Sequence, residues 1–369
     1  MDLRYTHPTQ IYALRPCHND DARDLVAIGG QHSVQVLLLT PTEVKAIATF
    51  HIGTRITAIA WSSSTVSPSS SDSWSLQLAV ATDDHALHLL TKSANQPEYI
   101  FAFGGGLSGH HGIINDMTFC GGWTEDSSRY VATVSDDKML MVWDLHPARD
   151  EPAEDSDLDT PPPRAQPTAY VIPFPHPLSS ISSHPLTSKE FLVSDCRGSV
   201  YLTDWRSDSE DLLQSNLRNS TLIELVDPSA LAASCTGQSH RWTGFTAWRS
   251  DSLDVIGGVF GNKFAIWDLA NLRGGKPVVT SQPVIEGGHR FRWCRTYPEH
   301  FAISIQIPAK GAIIQVHNIN FPQAQPTVFT LCSKPQFVRD FDFLSLRGIP
   351  RIAAAVGRTV FIFAIGEES

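Results

Sequence analysis

One stretch of the chain contains a serine, a histidine and an aspartate at spacings that could bring them together. His110 follows Gly109, Ser135 ends a β-branched run, and Asp137 lies in the acidic turn that follows. In a hydrolase such a set acts as nucleophile, general base and orienting carboxylate. Trp143 lies on the next apolar run, however, and a buried indole N–H needs a hydrogen-bond partner. The same side chains could therefore satisfy one another in a purely structural network.

Other residues that carry chemistry do not form recognisable sites. The spacings His-x-Glu, His-Glu-x-x-His and Cys-x-x-Cys are absent, so no zinc ligand set is predicted. The glycine-rich run 104–109 precedes a predicted strand, whereas a phosphate-binding loop should open a helix. The cluster of Asp83, Asp84, His85 and His88 spans a tight turn and is predicted to be solvated. We therefore predict no catalytic residue, no metal and no cofactor.

A repeated phrase indicates which elements position these residues. A β-branched strand, a short acidic or glycine turn and a second apolar strand occur most plainly at 131–145, with variants at 78–90, 192–205, 255–269 and 353–363. The second strand begins near Ser33, Ala86, Met139, Ser199, Lys263, Ala312 and Thr359. The steps exceed the usual ~40 to 45 residues of a WD-type blade because polar insertions separate strands. The sequence thus predicts an all-β fold, a seven-bladed WD40-type β-propeller.

Each blade needs four strands, and all units but the last supply them. The predicted strands are 112–119, 130–135, 139–144 and 168–174 in the third unit, and 242–248, 254–259, 264–268 and 277–285 in the fifth. The seventh unit reaches the C-terminus after its third strand. Residues 2–7, left over before the first unit, have the right length to complete it, and closure would remove the unpaired sheet edges. Residues 1–369 are thus predicted to form a single propeller domain, closed by an N-terminal strand.

Within a WD-type blade, the four residues named first have a packing explanation. His110, Ser135, Asp137 and Trp143 occupy the positions of the hydrogen-bond tetrad that joins the turn and strands of such a blade. A buried indole, hydroxyl, imidazole and carboxylate in series would satisfy each other. We therefore predict a structural tetrad and not a catalytic triad.

Composition and charge restrict the classes of partner. The formal net charge is −10, which disfavours nucleic acid as a direct partner because phosphate binding needs clustered positive charge. No window approaches the ~18 apolar residues of a membrane span, and the first residues have no signal-peptide core, so no membrane insertion is expected. The six cysteines have no paired spacing and are expected to be reduced, in cytosol or nucleus.

Two insertions interrupt the repeats. Residues 62–75 form a serine-rich loop, and residues 146–168 form an acidic, proline-rich loop. Such a segment has little apolar surface to offset the entropy of ordering it, which predicts mobility for the acidic loop. The simplest interpretation is a solvated inter-strand loop. A docking loop or a phosphorylated segment near Ser67 is the alternative.

Several runs occur in the same order as in a known family. They are Leu-Val-Ala-Ile-Gly-Gly at 25–30, Phe-His-Ile-Gly-Thr-Arg-Ile at 50–56, Gly-His at 109–110, Val-Ser-Asp-Asp at 134–137, Ala-Ile-Trp-Asp at 265–268 and Phe-Arg-Trp at 291–293. Together they resemble the thirty-seven-kilodalton WD-repeat nucleoporin of the outer-ring Y complex of the nuclear pore, in a fungal form. The resemblance covers most of the chain, although Trp-Asp is common to all WD families and the insertion at 146–168 is not part of it.

This resemblance implies a non-catalytic structural scaffold subunit at the nuclear pore complex of the nuclear envelope, supporting nucleocytoplasmic transport. The implied partner is the long outer-ring nucleoporin with an N-terminal propeller and a helical solenoid, about one hundred and twenty kilodaltons in fungi and one hundred and sixty in animals. An ELYS-type protein and other Y-complex subunits are further implied partners.

The candidate docking residues are arginines near loops that gather on one face of the ring. Arg55, Arg241, Arg290 and Arg292 could form a basic rim on an otherwise acidic protein, and arginine is a favoured interface anchor. The alternative is that these arginines line the central channel or cap carbonyl groups, next to core residues Phe291 and Trp293.

Other functions of WD propellers remain open. One alternative is a WD40 chromatin or histone-peptide reader, because propeller channels often present carboxylates or aromatic cages to lysine side chains. Another is a different protein-interaction adaptor. A receptor for a cullin-type ubiquitin ligase would usually carry Trp-Asp-x-Arg at the end of a blade's third strand. The corresponding runs here, at 143–146 and 267–270, lack the arginine.

Overall fold

The computed structural model describes residues 3–147, 165–206, 222–225, 244–272, 274–281, 287–305, 311–333 and 335–366. These residues form seven antiparallel sheets of four strands each. Among them no helix is long and apolar enough to cross a membrane.

The strands follow one another in chain order, blade by blade. Strand β1 (Leu3–Thr6) precedes blade 1, which contains β2 (Ala13–Pro16), β3 (Leu25–Gly29), β4 (Ser33–Leu39) and β5 (Val44–His51). Blade 2 contains β6 (Ile56–Trp61), β7 (Ser75–Thr82), β8 (Leu87–Ser93) and β9 (Gln96–Phe103). Blade 3 contains β10 (Ile114–Phe119), β11 (Tyr130–Ser135), β12 (Met139–Asp144) and β13 (Thr168–Pro173). Blade 4 contains β14 (Leu178–Ser183), β15 (Glu190–Asp195), β16 (Val200–Asp204) and β17 (Leu222–Leu225).

Blade 5 contains β18 (Phe245–Trp248), β19 (Val255–Phe260), β20 (Lys263–Asp268) and β21 (Val279–Ser281). Blade 6 contains β22 (Gly288–Trp293), β23 (His300–Ile305), β24 (Ala312–Asn318) and β25 (Thr327–Cys332). Blade 7 contains β26 (Val338–Phe343), β27 (Arg351–Val356) and β28 (Thr359–Ala364) together with β1. The described helices are short: α1 (Asp126–Arg129) and the 3₁₀ turns Asp20–Ala22, Gly106–Ser108 and Leu269–Asn271.

The predicted all-β, seven-bladed fold is confirmed. In blade 3 the second and third strands have the predicted bounds, whereas the inner strand begins two residues later than predicted, at Ile114. In blade 5 the outer strand covers Val279–Ser281, and the rest of the predicted range, from 282, lies outside the described residues.

The N-terminal strand closes the ring. In blade 7, β1 pairs antiparallel with β28, with Leu3 opposite Ile362 and Tyr5 opposite Val360. The chain then crosses to blade 1 while the Ile11 amide donates to the Gly357 carbonyl at 2.8 Å. The inner strands β2 and β26 are neighbours, so the first and last blades meet directly. The outer strand of blade 7 therefore comes from the opposite end of the chain, as predicted.

Apolar side chains fill the spaces between adjacent blades. All six residues of β11 are buried, which accounts for the absence of charged side chains from this strand. One core cluster combines residues of blades 2 and 3, including Leu87, Phe103 and Trp143. The contact between blades 5 and 6 needs a glycine, because a Cβ on Gly257 would lie 2.5 Å from Phe291 Cζ. The ring is thus held together by seven inter-blade layers that begin at the inner strands.

Antiparallel pairing places the loops on two faces of the ring. Face A carries the turns between second and third strands and the connections from each outer strand to the next inner strand. Face B carries the loops that leave each inner strand. The inner strands of all blades run from face A to face B around a central channel.

The serine-rich loop 62–75 differs from the prediction of a solvated segment. Ser62, Thr65 and Ser67 are buried, and the Ser67 amide donates to the Asp21 carbonyl of blade 1 at 2.8 Å. The side-chain amide of Asn19 also donates to the Ser62 carbonyl at 2.8 Å. Hydrogen bonds between polar groups thus replace the apolar burial that the loop lacks, and Ser67 is too buried to be an accessible modification site. Of the insertion 146–168, residues 148–164 lie outside the described residues.

Candidate functional site

The network in blade 3 joins the turn after β11 to the third strand. His110 Nδ1 lies 2.8 Å from Asp137 Oδ2, and His110 Nε2 lies 2.8 Å from Thr133 Oγ1. Trp143 Nε1 donates to the same Thr133 oxygen at 3.0 Å. If the carboxylate fixes the proton on Nδ1, Nε2 accepts from the threonine hydroxyl, so every polar atom of the network has a partner.

The hydroxyl of this network is therefore Thr133, and the assignment of Ser135 is wrong. Ser135 Oγ accepts a hydrogen bond from the Asp137 amide at 3.2 Å and serves the turn. Because residues 133 and 135 share one side of β11, alternation along the strand cannot separate them. The register does so: Thr133 lies opposite Met141 and Val131 opposite Trp143, which makes Thr133 a diagonal neighbour of the indole.

The burial of this network suits a structural role. Burial lowers the pKa of His110, while Asp137 opposes the shift, so the imidazole is neutral near pH 7. Trp143 and His110 are almost fully buried, and the hydroxyl is held on both sides by their nitrogens. No hydroxyl here faces an open cavity as a nucleophile would. Among the described residues, no group of three or more histidine, cysteine or acidic side chains could hold a metal ion.

Charged side chains from the inner strands meet in the middle of the channel. Arg15 of β2 donates to Asp116 Oδ1 of β10 at 2.9 Å and lies 4.0 Å from Asp342 of β26. Arg292 of β22 lies 3.4 Å from both Asp340 Oδ1 and Asp342 Oδ2. We call these five residues the channel belt. It connects blades 1, 3, 6 and 7, which are far apart in sequence.

Ion pairing keeps Asp342 and Arg292 of the belt charged. Burial alone would raise the pKa of Asp342, but Arg292, His18 and Arg15 lower it well below its usual range. Burial and the nearby Arg15 lower the pKa of Arg292 to about 10, which still leaves it protonated near neutral pH. Backbone amides add support, since Leu14 donates to Asp340 at 3.0 Å and Ile181 donates to Asp116 at 3.1 Å. The belt thus consists of satisfied ion pairs that fasten the blades together.

A cavity of about 360 Å³ occupies the channel between the belt and face B. Its walls include Trp61, Trp248 and Trp293, and two of these indoles tie neighbouring inner strands. Trp61 donates to the Arg15 carbonyl at 2.8 Å, and Trp293 donates to the Ala247 carbonyl at 3.1 Å. Arg295 lies at this mouth without an ion-pair partner in the described part of the chain.

The predicted basic rim is only partly a surface feature. Arg55 and Arg290 lie near the face A mouth of the channel, since Arg55 directly precedes β6 and Arg290 is the third residue of β22. Arg292 is 6% exposed and belongs to the belt, which favours the channel-lining alternative for that residue. Arg241 lies outside the described residues. Arg339 of β26, which the sequence did not single out, lies near Tyr12 at the same mouth, with its guanidinium carbon 5.9 Å from the ring centroid.

Comparison with known proteins gives similarity to WD-repeat and nucleoporin sequences. A search against models of protein families gives no match. The chain is 24% identical to nucleoporin Nup37 of Mus musculus and, equally, of Homo sapiens, over 330 residues that cover 86% of this chain and 83% of each relative. It is also 24% identical over 214 residues to an uncharacterised WD repeat-containing protein of Schizosaccharomyces pombe, covering 54% of this chain and 48% of that protein.

Among solved structures, the crystal structure of Chaetomium thermophilum Raptor is similar to this chain in fold. The TM-score is 0.66 at 12% identity, covering 99% of this chain and 29% of Raptor, so the likeness concerns the propeller alone. The chain is thus a WD-type propeller whose resemblance to the nucleoporin Nup37 proteins extends over most of its length.

Proposed function

We propose that this protein is a non-catalytic scaffold subunit of the nuclear pore complex, located at the nuclear envelope. The observation that carries the proposal is the similarity to mouse and human nucleoporin Nup37 across 86% of the chain. A match confined to one repeat would point only to the WD fold, whereas this one includes nearly all blades. The structural network in blade 3 and the neutralised belt support a role in binding rather than in catalysis.

The proposed partner is the long propeller-solenoid nucleoporin of the Y complex. A WD propeller presents two loop faces and a rim, so it can join larger proteins without chemistry of its own. Residues 1–369 would act as one propeller domain in that complex, and transport would depend on it indirectly, through the assembly of the pore.

Co-expression with the solenoid portion of that nucleoporin tests the proposal. We expect a stable one-to-one complex in size-exclusion chromatography with light scattering. An unrelated WD propeller of similar size, co-expressed with the same solenoid, is the control and should elute separately. If this protein also elutes separately although both components are folded, the nucleoporin assignment is wrong.

The alternative of a histone-peptide reader makes a different demand on the channel. It needs free carboxylates or an aromatic cage for a lysine side chain. The belt carboxylates Asp116, Asp340 and Asp342 are instead occupied by Arg15 and Arg292. Histone-tail peptides are therefore expected to show no binding in the same experiments.

A further inference from the structure

Cationic and aromatic side chains alternate around the face A mouth of the channel. We call this set the basic arc: Tyr12, Arg55, Phe245, His289, Arg290, Phe337 and Arg339. Its members come from the first residues of inner strands or from the residues just before them, in blades 1, 2, 5, 6 and 7. The arc is therefore assembled by ring closure and not by one local segment.

The aromatic rings hold the guanidinium groups in place. Arg55 lies 5.3 Å and Arg339 lies 5.9 Å from the centroid of the Tyr12 ring. Arg339 also lies 4.3 Å from the Phe337 ring, and Arg290 lies 4.8 Å from the Phe245 ring. Such cation–π contacts restrict flexible arginine side chains and reduce the entropy lost when they bind a ligand.

The three arginines of the arc differ in how their charges are compensated. Arg55 lies 3.4 Å from Asp83 Oδ2. Asp340 is shared by Arg290, at 3.8 Å, and Arg292, at 3.4 Å, and it also accepts the Leu14 and Phe341 amides. Arg339 makes no ion pair in the described part of the chain. With its amide oxygen towards the guanidinium, Gln10 accepts from Arg339 at 3.2 Å and 3.3 Å, which leaves the charge uncompensated.

Arg290 of the arc has a donor that is not used. Its Nε makes no hydrogen bond in the described part of the chain, and the carboxylate oxygen Asp340 Oδ1 lies 3.8 Å from it. Arg290 and His289 line a cavity of about 230 Å³ together with Asn115, Asp136 and Phe245. The Asp136 carboxylate there accepts from the Asn115 side-chain amide at 2.7 Å. Burial and the nearby Arg290 lower the pKa of His289 to about 3, as expected where positive charge is in excess. An acidic group entering this mouth would meet the guanidinium groups of Arg290 and Arg339, and Arg339 has no ion pair in the described part of the chain.

The opposite mouth of the channel does not offer the same arrangement. At face B, Arg295 has no ion pair within the described ranges, and the nearby His18 is neutral because burial and Arg295 lower its pKa to about 4. No aromatic ring of the described residues makes a cation–π contact with the Arg295 guanidinium. Arg295 is therefore a matched control: an unpaired arginine at the other end of the same channel.

Resting on the proposed function, we propose that the basic arc binds an acidic segment of the protein's partner, whose carboxylate side chains enter the face A mouth and pair with Arg290 and Arg339. The positive mouth on a protein of net charge −10 gives this face the charge complementarity that orients an encounter. The occupant is a peptide carrying aspartate or glutamate, since a carboxylate matches the planar guanidinium geometry.

Binding of a labelled decapeptide rich in glutamate tests the proposal by fluorescence anisotropy on the full chain. We expect binding that weakens with added salt and is absent for the same peptide with glutamine in place of glutamate. Arg339→Gln and Arg290→Gln should each weaken binding by about tenfold, and Arg339→Lys should retain part of it. Arg295→Gln should leave binding unchanged. Equal binding by the Arg339→Gln and wild-type proteins, or loss only in Arg295→Gln, would overturn the proposal.

Co-elution with the long nucleoporin separates this inference from the proposed function. If wild type co-elutes and the Arg290→Gln/Arg339→Gln protein, folded by thermal melting, no longer does, both are supported. If both proteins co-elute equally at dilution, the partner docks elsewhere and the acidic-segment proposal fails while the nucleoporin assignment stands. If the wild-type protein binds the peptide but not the nucleoporin, the nucleoporin assignment fails while the acidic-segment proposal stands.

Discussion

Removing the Thr133 hydroxyl should destabilise the protein far more than removing that of Ser135. Thr133→Val keeps the shape of the side chain but leaves Trp143 Nε1 and His110 Nε2 without their shared partner. Both residues are at most 3% exposed, so water cannot replace the lost oxygen. An unsatisfied buried polar group costs about 1–3 kcal/mol, which gives a loss of about 2–6 kcal/mol for the pair.

Ser135→Ala is the comparison because Ser135 lies on the same strand and is also buried. Its hydroxyl accepts from the Asp137 amide in the turn, so its loss should cost about 1 kcal/mol. Urea unfolding followed by tryptophan fluorescence gives the free energy of unfolding of Thr133→Val, Ser135→Ala and Thr133→Ser. Thr133→Ser keeps a hydroxyl and should retain most of the wild-type stability. If Ser135→Ala costs as much as Thr133→Val, our assignment of the network is wrong.

Two further predictions concern the whole ring. Burial lowers the pKa of His317 from 6.5 to about 4, and the pKa of His18 falls to about the same value. Below pH 6.5 the unfolded chain therefore binds more protons than the folded protein, and the free energy of unfolding should fall by about 3 kcal/mol per histidine at pH 4. Urea titrations at pH 7.5 and 4.5 check this, and His317→Phe, whose ring can also stack on Phe301, should have a smaller pH dependence. Deleting residues 1–8 removes β1 and exposes the edge of β28, so the melting temperature should fall; an unchanged melt in differential scanning fluorimetry would contradict closure by β1.

Local sequence patterns were sufficient to predict the blades. The runs 130–135 and 139–144 are almost entirely buried and are separated by an acidic turn. The residues of the turn therefore mark the end of one strand and the start of the next. Closure followed from counting strands, because residues 2–7 had no other blade to complete. The serine-rich loop was harder to predict, since its order depends on hydrogen bonds to Asn19 and Asp21 of the preceding blade.

The site residues depend on contacts that the sequence does not reveal. Thr133 and Ser135 are equivalent by alternation, and only the register of β11 against β12 places one of them beside Trp143. Arg339 lies near Tyr12 although 327 positions separate them in the numbering, and this neighbourhood exists only in the closed ring. Arg292 resembled a surface anchor in sequence, yet the inward direction of its side chain commits it to Asp340 and Asp342.

The distribution of charge along the channel indicates which part of the protein is available for recognition. In the middle, carboxylates from blades 3 and 7 neutralise arginines from blades 1 and 6, and breaking one such buried pair costs about 3–5 kcal/mol. These residues cannot exchange partners without loosening the ring. At the face A mouth, by contrast, Arg339 contacts a neutral amide and two aromatic rings but no carboxylate of the described residues, and Arg290 shares its carboxylate. A ligand there gains ion pairs without breaking any, so recognition is favoured at the mouth while the belt maintains the spacing of the blades.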